Sequence, residues 1–319
     1  MNVFKLIRFQ LLFILFVGVG HQFAQEAPAG YYDSAEGLTG EDLKSALNDI
    51  ISGHVEFPYT SSGTDTWDIL KETDKDPENP NNVILLYTGL SVNGAQEFNG
   101  GNGWNREHVW AKSRGDFGTA KGPGTDVHAL RPAHIEVNSK RSNRWFSNGG
   151  LEVNQDGVFA GKIHVTIFSW EPRDEIKGDV ARMIFYMATR YEGENGEPDL
   201  EVIDYFPTNS QTKEPVHAKL SVLLEWHELD PVDDWERNRN HIIYTHYQKN
   251  RNPFIDRPEF VAAIWGEPSP SNIDDYEIEE EEVELVKIVD MLGREAAPKP
   301  GELQLYIYSD GSVVKRIIR

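Results

Sequence analysis

Hydrophobic positions along this chain alternate between helical spacing, short apolar runs and long unpatterned stretches. Leu43, Ala46, Leu47, Ile50 and Ile51 recur at helical spacing behind a Thr39-Gly40 start signal, which predicts a helix over 42–52. The polar stretch 60–82, closing on ETDKDPENPNN, predicts a surface loop, and the apolar run 83–87 a buried strand. Asn99-Gly100-Gly101-Asn102-Gly103 predicts a flexible turn that delivers the chain to Trp104. A short apolar segment at 127–130 precedes Pro132, which predicts the first position of a helix. On that helix Ile135, Asn138, Ser142 and Trp145 share a face, with Arg141 beside it.

Further on, 149–161 predicts short strands around a β-turn. Val180, Met183, Ile184, Met187, Ala188 and Tyr191 then follow the helical pattern closely; a stripe of this kind is core rather than a cofactor box. Two more helices are predicted over 218–228 and 232–247, the latter with Trp235, Ile242 and Ile243 inward. After Gly266 the pattern stops, and 274–284 holds eight acids, the mark of a solvated linker over 267–284. Regularity returns over 285–319 with Val286, Ile288 and Val289, a turn at Gly293, the run LQLYIY, an Asp310-Gly311 hairpin turn and Val313-Val314.

Residues 1–24 are expected to be a signal peptide. Lys5 and Arg8 give a positive start, 11–20 an apolar run too short to span a membrane, and Ala24 a small residue before Gln25. The expected product is a secreted protein whose main body is 25–266. With 319 residues it can bury one large core plus an appendage. The absence of Cys excludes disulfides, thiolate metal sites and cysteine catalysis, so stability must come from burial. The chain carries a net charge of −21, yet eight basic side chains face four acidic ones between 105 and 145. A local basic cleft in an acidic body fits a polyanionic substrate.

The same stretch holds the candidate chemistry. Glu107 and His108 set a carboxylate beside an imidazole, and Asn138 adds a second oxygen donor on the predicted helix. These pieces suit a metal-assisted attack on phosphate, with a hard cation, Mg²⁺ before Zn²⁺. An imidazole titrating near neutrality suits a general base. In a regular strand Glu107 and His108 would point to opposite faces, so the strand must bulge or the site must lie at its end.

The ordered segments Glu107-His108-Val109, Asp126-Val127-His128-Ala129-Leu130-Arg131-Pro132 and Val137-Asn138-Ser139-Lys140-Arg141-Ser142-Asn143 resemble the endonuclease I family of ββα-metal (His-Me finger) nucleases. KGDVAR, WHELDPV and the segment 250–256 are similar to its Cys-free extracellular branch, so the resemblance runs from about Tyr31 to Trp265. It implies an α+β fold with a ββα-metal core surrounded by helices and a short β-rich C-terminal tail. It also implies His108 as general base, Glu107 and Asn138 as ligands of Mg²⁺ (Mn²⁺ or Ca²⁺ as alternatives), and sequence-nonspecific cleavage of DNA, with RNA a further substrate, to 5′-phosphate products.

Arg106, Arg131, Lys140, Arg141 and Arg144 are candidate phosphate contacts, and Arg182, Arg237 and Arg251 stand open between that role and buried ion pairing. His128 and His134 stand open between orienting the site and packing. The C-terminal VDMLGRE and LYIYSDGSVVKRII are similar to sorting tails of the type IX secretion route, which implies secretion machinery as a partner; a small stabilising hairpin is the alternative. Two rival functions remain at this point: a ribonuclease with little DNA activity, and an inactive secreted nucleic-acid-binding protein.

Overall fold

Helix α1, Gly40–Ile51, buries Leu43, Leu47 and Ile51 one turn apart, with Glu41 and Asp42 in its first turn, where acids complement the helix dipole. The computed structural model describes residues 26–266, 285–290, 293–308 and 313–317. The expected signal peptide at 1–24, the acidic linker at 267–284 and the Asp310-Gly311 turn lie outside the described residues. Two compact units result, Met1–Glu267 and Pro268–Arg319.

In the first unit the stretch 60–82 is not a loop throughout, as its polarity predicted. It contains α2, Thr66–Thr73, started by a capping box in which Asp65 accepts from Asp68 N at 3.4 Å while Asp68 accepts from Asp65 N at 3.3 Å. The helix holds because Trp67 and Leu70 pack with Val83, Leu85, Trp104 and Leu130 in a small apolar cluster. Strand β1, Asn82–Ile84, is shorter than the predicted 83–87; it pairs with β2, Ser91–Asn93, while Leu85, Leu86 and Tyr87 are buried beyond the strand.

Strands β3, Trp104–His108, and β4, Leu130–His134, pair antiparallel in unbroken register from Trp104↔His134 to His108↔Leu130. Helix α3, Ile135–Arg141, follows at once. Pro132 therefore does not open the helix: it lies in β4 opposite Arg106, where a two-stranded ladder tolerates the missing N–H, and His134 is the N-cap. Ser142 and Trp145 fall beyond the helix end.

Strands β5 (Trp145–Phe146), β6 (Leu151–Gln155), β7 (Val158–His164) and β8 (Ser169–Glu171) form a sheet of order β5-β8-β7-β6. Helix α4, Lys177–Arg190, is buried along its whole length: it packs against α1, and its charged side chains are buried in ion pairs, Lys177 with Glu171, Arg182 with Glu236 and Arg190 with Glu197. After the parallel pair β9 (Glu201–Ile203) and β10 (Val216–Ala218) come α5 (Leu220–Leu229), α6 (Asp234–Ile242), α7 (Pro253–Asp256) and α8 (Phe260–Trp265). The helix predicted over 232–247 is α6 ending in a π-type turn, Ile243–Tyr247. The second unit is an antiparallel sheet of β11 (Leu285–Val289), β12 (Leu303–Tyr308) and β13 (Val313–Ile317). The chain is α+β.

Candidate active site

The end of β3 sets the site. Glu107 and His108 are consecutive and the ladder has no bulge, yet both line one cavity of about 680 Å³, because His108 is the last residue of the strand. Asn138, on α3, lines the same cavity. Its Nδ2 donates to Asn105 Oδ1 at 2.9 Å and to the Arg106 carbonyl at 3.4 Å, which ties α3 to β3 and leaves Oδ1 free of donors among the described residues.

Glu107 is only 2% exposed. Tyr87 donates its hydroxyl to Oε1 at 2.7 Å and the Arg141 guanidinium lies 3.3 Å from the same oxygen. Burial raises the carboxyl above its ordinary pKa, against Arg141 and Tyr87. Oε2 receives no donor among the described residues, so one carboxylate oxygen is held and the other is available.

His108 Nε2 lies 3.0 Å from the Gly124 carbonyl. A carbonyl only accepts, so Nε2 carries the proton and Nδ1 the lone pair. The ring stacks on Tyr59 with centroids 5.6 Å apart and planes 19° from parallel. Burial pushes the imidazole down to about 3 rather than near neutrality as expected, with Lys112, Arg106 and Arg141 acting in the same direction and the Gly124 bond against it. At neutral pH the ring is thus a free base, and an anionic phosphodiester beside it would favour its protonation.

A crowded loop positions Gly124. A Cβ there would lie 2.7 Å from the Gly118 carbonyl and 2.8 Å from that of Ala120. Buried Asp126 anchors the loop two residues on: it accepts from Gln248 Nε2 at 3.0 Å, Tyr186 OH at 2.8 Å and Tyr191 OH at 2.9 Å.

The basic candidates divide. Arg141 is fully buried and donates to the carbonyls of His108 at 3.1 Å and Val109 at 2.6 Å, clamping the end of β3 on the cavity wall. Arg106 also lines the cavity, but its guanidinium is held by Tyr59 O, Thr66 Oγ1 and Thr60 Oγ1 between the rings of Tyr59 and Trp67. Lys140 is exposed, Arg144 covers Phe168 and donates to Lys140 O, and neither is on the cavity wall. Arg131 is withdrawn as a phosphate contact: it is buried in pairs with Asp74 at 2.5 Å and Asp179 at 3.1 Å. Arg182 is spent in a two-pronged pair with Glu236, and Arg251 in one with Asp256. Arg237 Nη1 makes a long bond, 3.5 Å, to the Ile255 carbonyl, and the residue is not on the cavity wall.

Neither open histidine reaches the cavity. His128 is buried against Tyr186 with Nε2 on the Asn250 carbonyl at 3.2 Å. His134 caps α3, accepting from Glu136 N at 3.2 Å, with Nε2 3.3 Å from Asp156. Sequence reasoning missed Tyr87, Tyr59, Asn105 and Gly124. Only Tyr87 left a signal: a hydroxyl closing a buried apolar run must find a partner.

Comparison with known proteins decides the family. The model of the family described as Endonuclease I matches residues 39–259, more than half of the chain. The chain belongs to the endonuclease I family. It is 56% identical over 257 residues to "Extracellular ribonuclease" of Bacillus subtilis (strain 168), covering 78% of this chain and 85% of that one. To "Extracellular ribonuclease" of Bacillus amyloliquefaciens it is 57% identical over 237 residues, 74% of this chain and 78% of the relative. "Extracellular deoxyribonuclease" of Aeromonas hydrophila is more distant, 29% identical over 137 residues, 41% of this chain and 49% of the relative.

As an endonuclease I protein the chain is a nuclease, and its relatives are named extracellular or periplasmic, in line with the secreted location expected from the sequence. Among the described residues no helix is long and apolar enough to cross a membrane. The donors of this endonuclease I site, a carboxylate oxygen and an amide oxygen, fit a hard divalent cation. A separate acidic group, Glu192, Asp199 and Glu201, lies off the cavity, and Lys44 pairs with two of its members at 2.7 Å and 2.9 Å. That group is an ion-paired cluster.

Proposed function

We propose that this protein is a secreted, Mg²⁺-dependent endonuclease that hydrolyses phosphodiester bonds in RNA, and in DNA through the same site, with β3, β4 and α3 as a ββα-metal core. One observation carries the reading: His108, with its tautomer fixed by Gly124, shares a cavity with the open oxygens of Glu107 and Asn138. RNA is placed first because the relatives similar over most of the chain are named ribonucleases, whereas the two named deoxyribonucleases match a smaller part.

Glu107 and Asn138 would hold the ion, with Mn²⁺ or Ca²⁺ as alternatives. When bound, it would neutralise charge that develops on the phosphate and the leaving oxygen. His108 Nδ1 takes a proton from water as that oxygen adds to phosphorus; the bond from phosphorus to the 3′ oxygen breaks, and the leaving oxygen takes a proton from solvent water, which gives a 5′-phosphate and a 3′-hydroxyl. Arg141 keeps the end of β3 and Glu107 in place during this step. The second unit, β11 to β13, serves on this reading as the secretion sorting tail. Deleting 285–319 should then hold nuclease activity in the cells of a type IX-competent host, and normal export would reject that role.

The test of the main reading is the purified protein on total RNA and on plasmid, with EDTA and then with Mg²⁺ restored. Both substrates should be cut, EDTA should stop cutting, and Mg²⁺ should restore it. Cleavage unaffected by EDTA would reject the metal mechanism.

A further inference from the structure

Phe98 lines the catalytic cavity, and the chemistry above does not use it. It is 53% exposed and joins none of the apolar clusters formed by the described residues. Its backbone φ is +36°, a conformation a bulky residue adopts only when its surroundings impose it.

The surroundings do impose it. Phe98 N donates to the Trp104 carbonyl at 2.8 Å, and the Phe98 carbonyl accepts from Gly101 N at 2.8 Å and Gly103 N at 3.1 Å. Gly103 closes this turn against backbone: a Cβ there would lie 1.7 Å from the Gln96 carbonyl. Next to the ring, Glu97 pairs with Lys71 of α2. A strained, hydrogen-bonded turn therefore holds an aromatic ring at the cavity rather than in the core.

The other large aromatics of the cavity are engaged. Arg106 covers Tyr59 at 3.4 Å and Trp67 at 4.0 Å, and Tyr59 also stacks on His108. Among the described residues, Phe98 has neither a ring partner nor a cation over its face.

We propose that Phe98 is a stacking platform for a nucleobase beside the scissile phosphate, which makes single-stranded polynucleotide the favoured substrate. The proposal rests on the endonuclease reading and adds the substrate class. Phosphate chemistry alone does not distinguish single strands from duplex. A base face does: it is free in a single strand, whereas in duplex it must first be unstacked at a cost. Stacking also tolerates any base, so it adds strand selectivity without sequence selectivity.

The test uses the full protein with wild-type, Phe98→Ala and Phe98→Trp sequences. Substrates are RNA and DNA strands of one sequence, the DNA also annealed to its complement, with methylphosphonates at all linkages but one. A second set carries abasic residues on both sides of the cleavable linkage. Phe98→Ala should raise KM on both single strands about tenfold and change duplex kcat/KM several-fold less, with Phe98→Trp restoring the wild-type KM. On abasic strands Phe98→Ala and wild type should match. Equal effects of Phe98→Ala on single strand and duplex, equal effects on intact and abasic strands, or no effect on any of them would overturn the platform, a protein-docking role for Phe98 included. A wild-type protein that cuts none of these substrates would instead remove the endonuclease reading beneath it.

Discussion

Glu107 offers one oxygen to the cavity because Tyr87 and Arg141 hold the other. The Arg141 charge also offsets that of the carboxylate, so the pair presents a cation with little net negative charge, and the substrate phosphate must supply the rest. Glu107→Ala should therefore raise the Mg²⁺ needed for half-maximal cleavage more than Asn138→Ala does. Tyr87→Phe, which frees Oε1 without touching the ligand oxygen, should raise it on the order of 10-fold. Mg²⁺ titrations of cleavage check all three, and unchanged midpoints in Glu107→Ala and Asn138→Ala would remove these ligands. At this scale the sequence was legible where chemistry is written in residue types: an acid, a base and an amide within one stretch. Arg131 shows the limit. As a basic side chain beside the candidate chemistry it is a candidate phosphate contact, but its role depends on Asp74 and Asp179, which only the fold brings to it.

Among the elements, the Gly122–Gly124 turn has a role that β3 and α3 cannot fill, since it supplies the carbonyl that fixes the His108 tautomer. Gly124→Ala would force that carbonyl away from its seat, because the added Cβ meets backbone on several sides. We expect kcat to fall on the order of 10²-fold with KM little changed, the effect of a misplaced catalytic group. Steady-state kinetics on RNA check this, and a rise in KM alone would argue that the loop binds substrate instead. The long periodic helices α1 and α4 were legible from apolar spacing. Helix α2 was hidden because only its short inner face is apolar and its ends are charged. Pro132 misled because proline opens helices and also sits in two-stranded ladders, and choosing between these needs the partner strand.

Across the whole molecule, burial keeps several histidines away from the cavity neutral. Burial pushes His128 and His227 down to about 4 and lowers His54 and His217. Unfolded histidines take up protons near pH 6.5 while His128 and His227 do not until about pH 4, so the unfolded state binds more protons in that window and stability falls on acidification. The melting temperature should therefore drop between pH 7 and 5, above the range where ordinary carboxylates titrate, with His128 and His227 each contributing on the order of 1 kcal/mol. A flat melting temperature across that range would show that these imidazoles are protonated in the fold. The α+β class and the family were legible at this scale because ordered motifs survive without knowledge of packing; the cavity was not, since it joins side chains from β3, α3 and the turns around them. The central claim, that His108 is the base, is tested most directly by single-turnover cleavage of labelled RNA by His108→Ala at saturating Mg²⁺, with binding measured in parallel. The expected rate is lower by about 10²–10⁴-fold with RNA affinity nearly unchanged. Cleavage at close to the wild-type rate would contradict it.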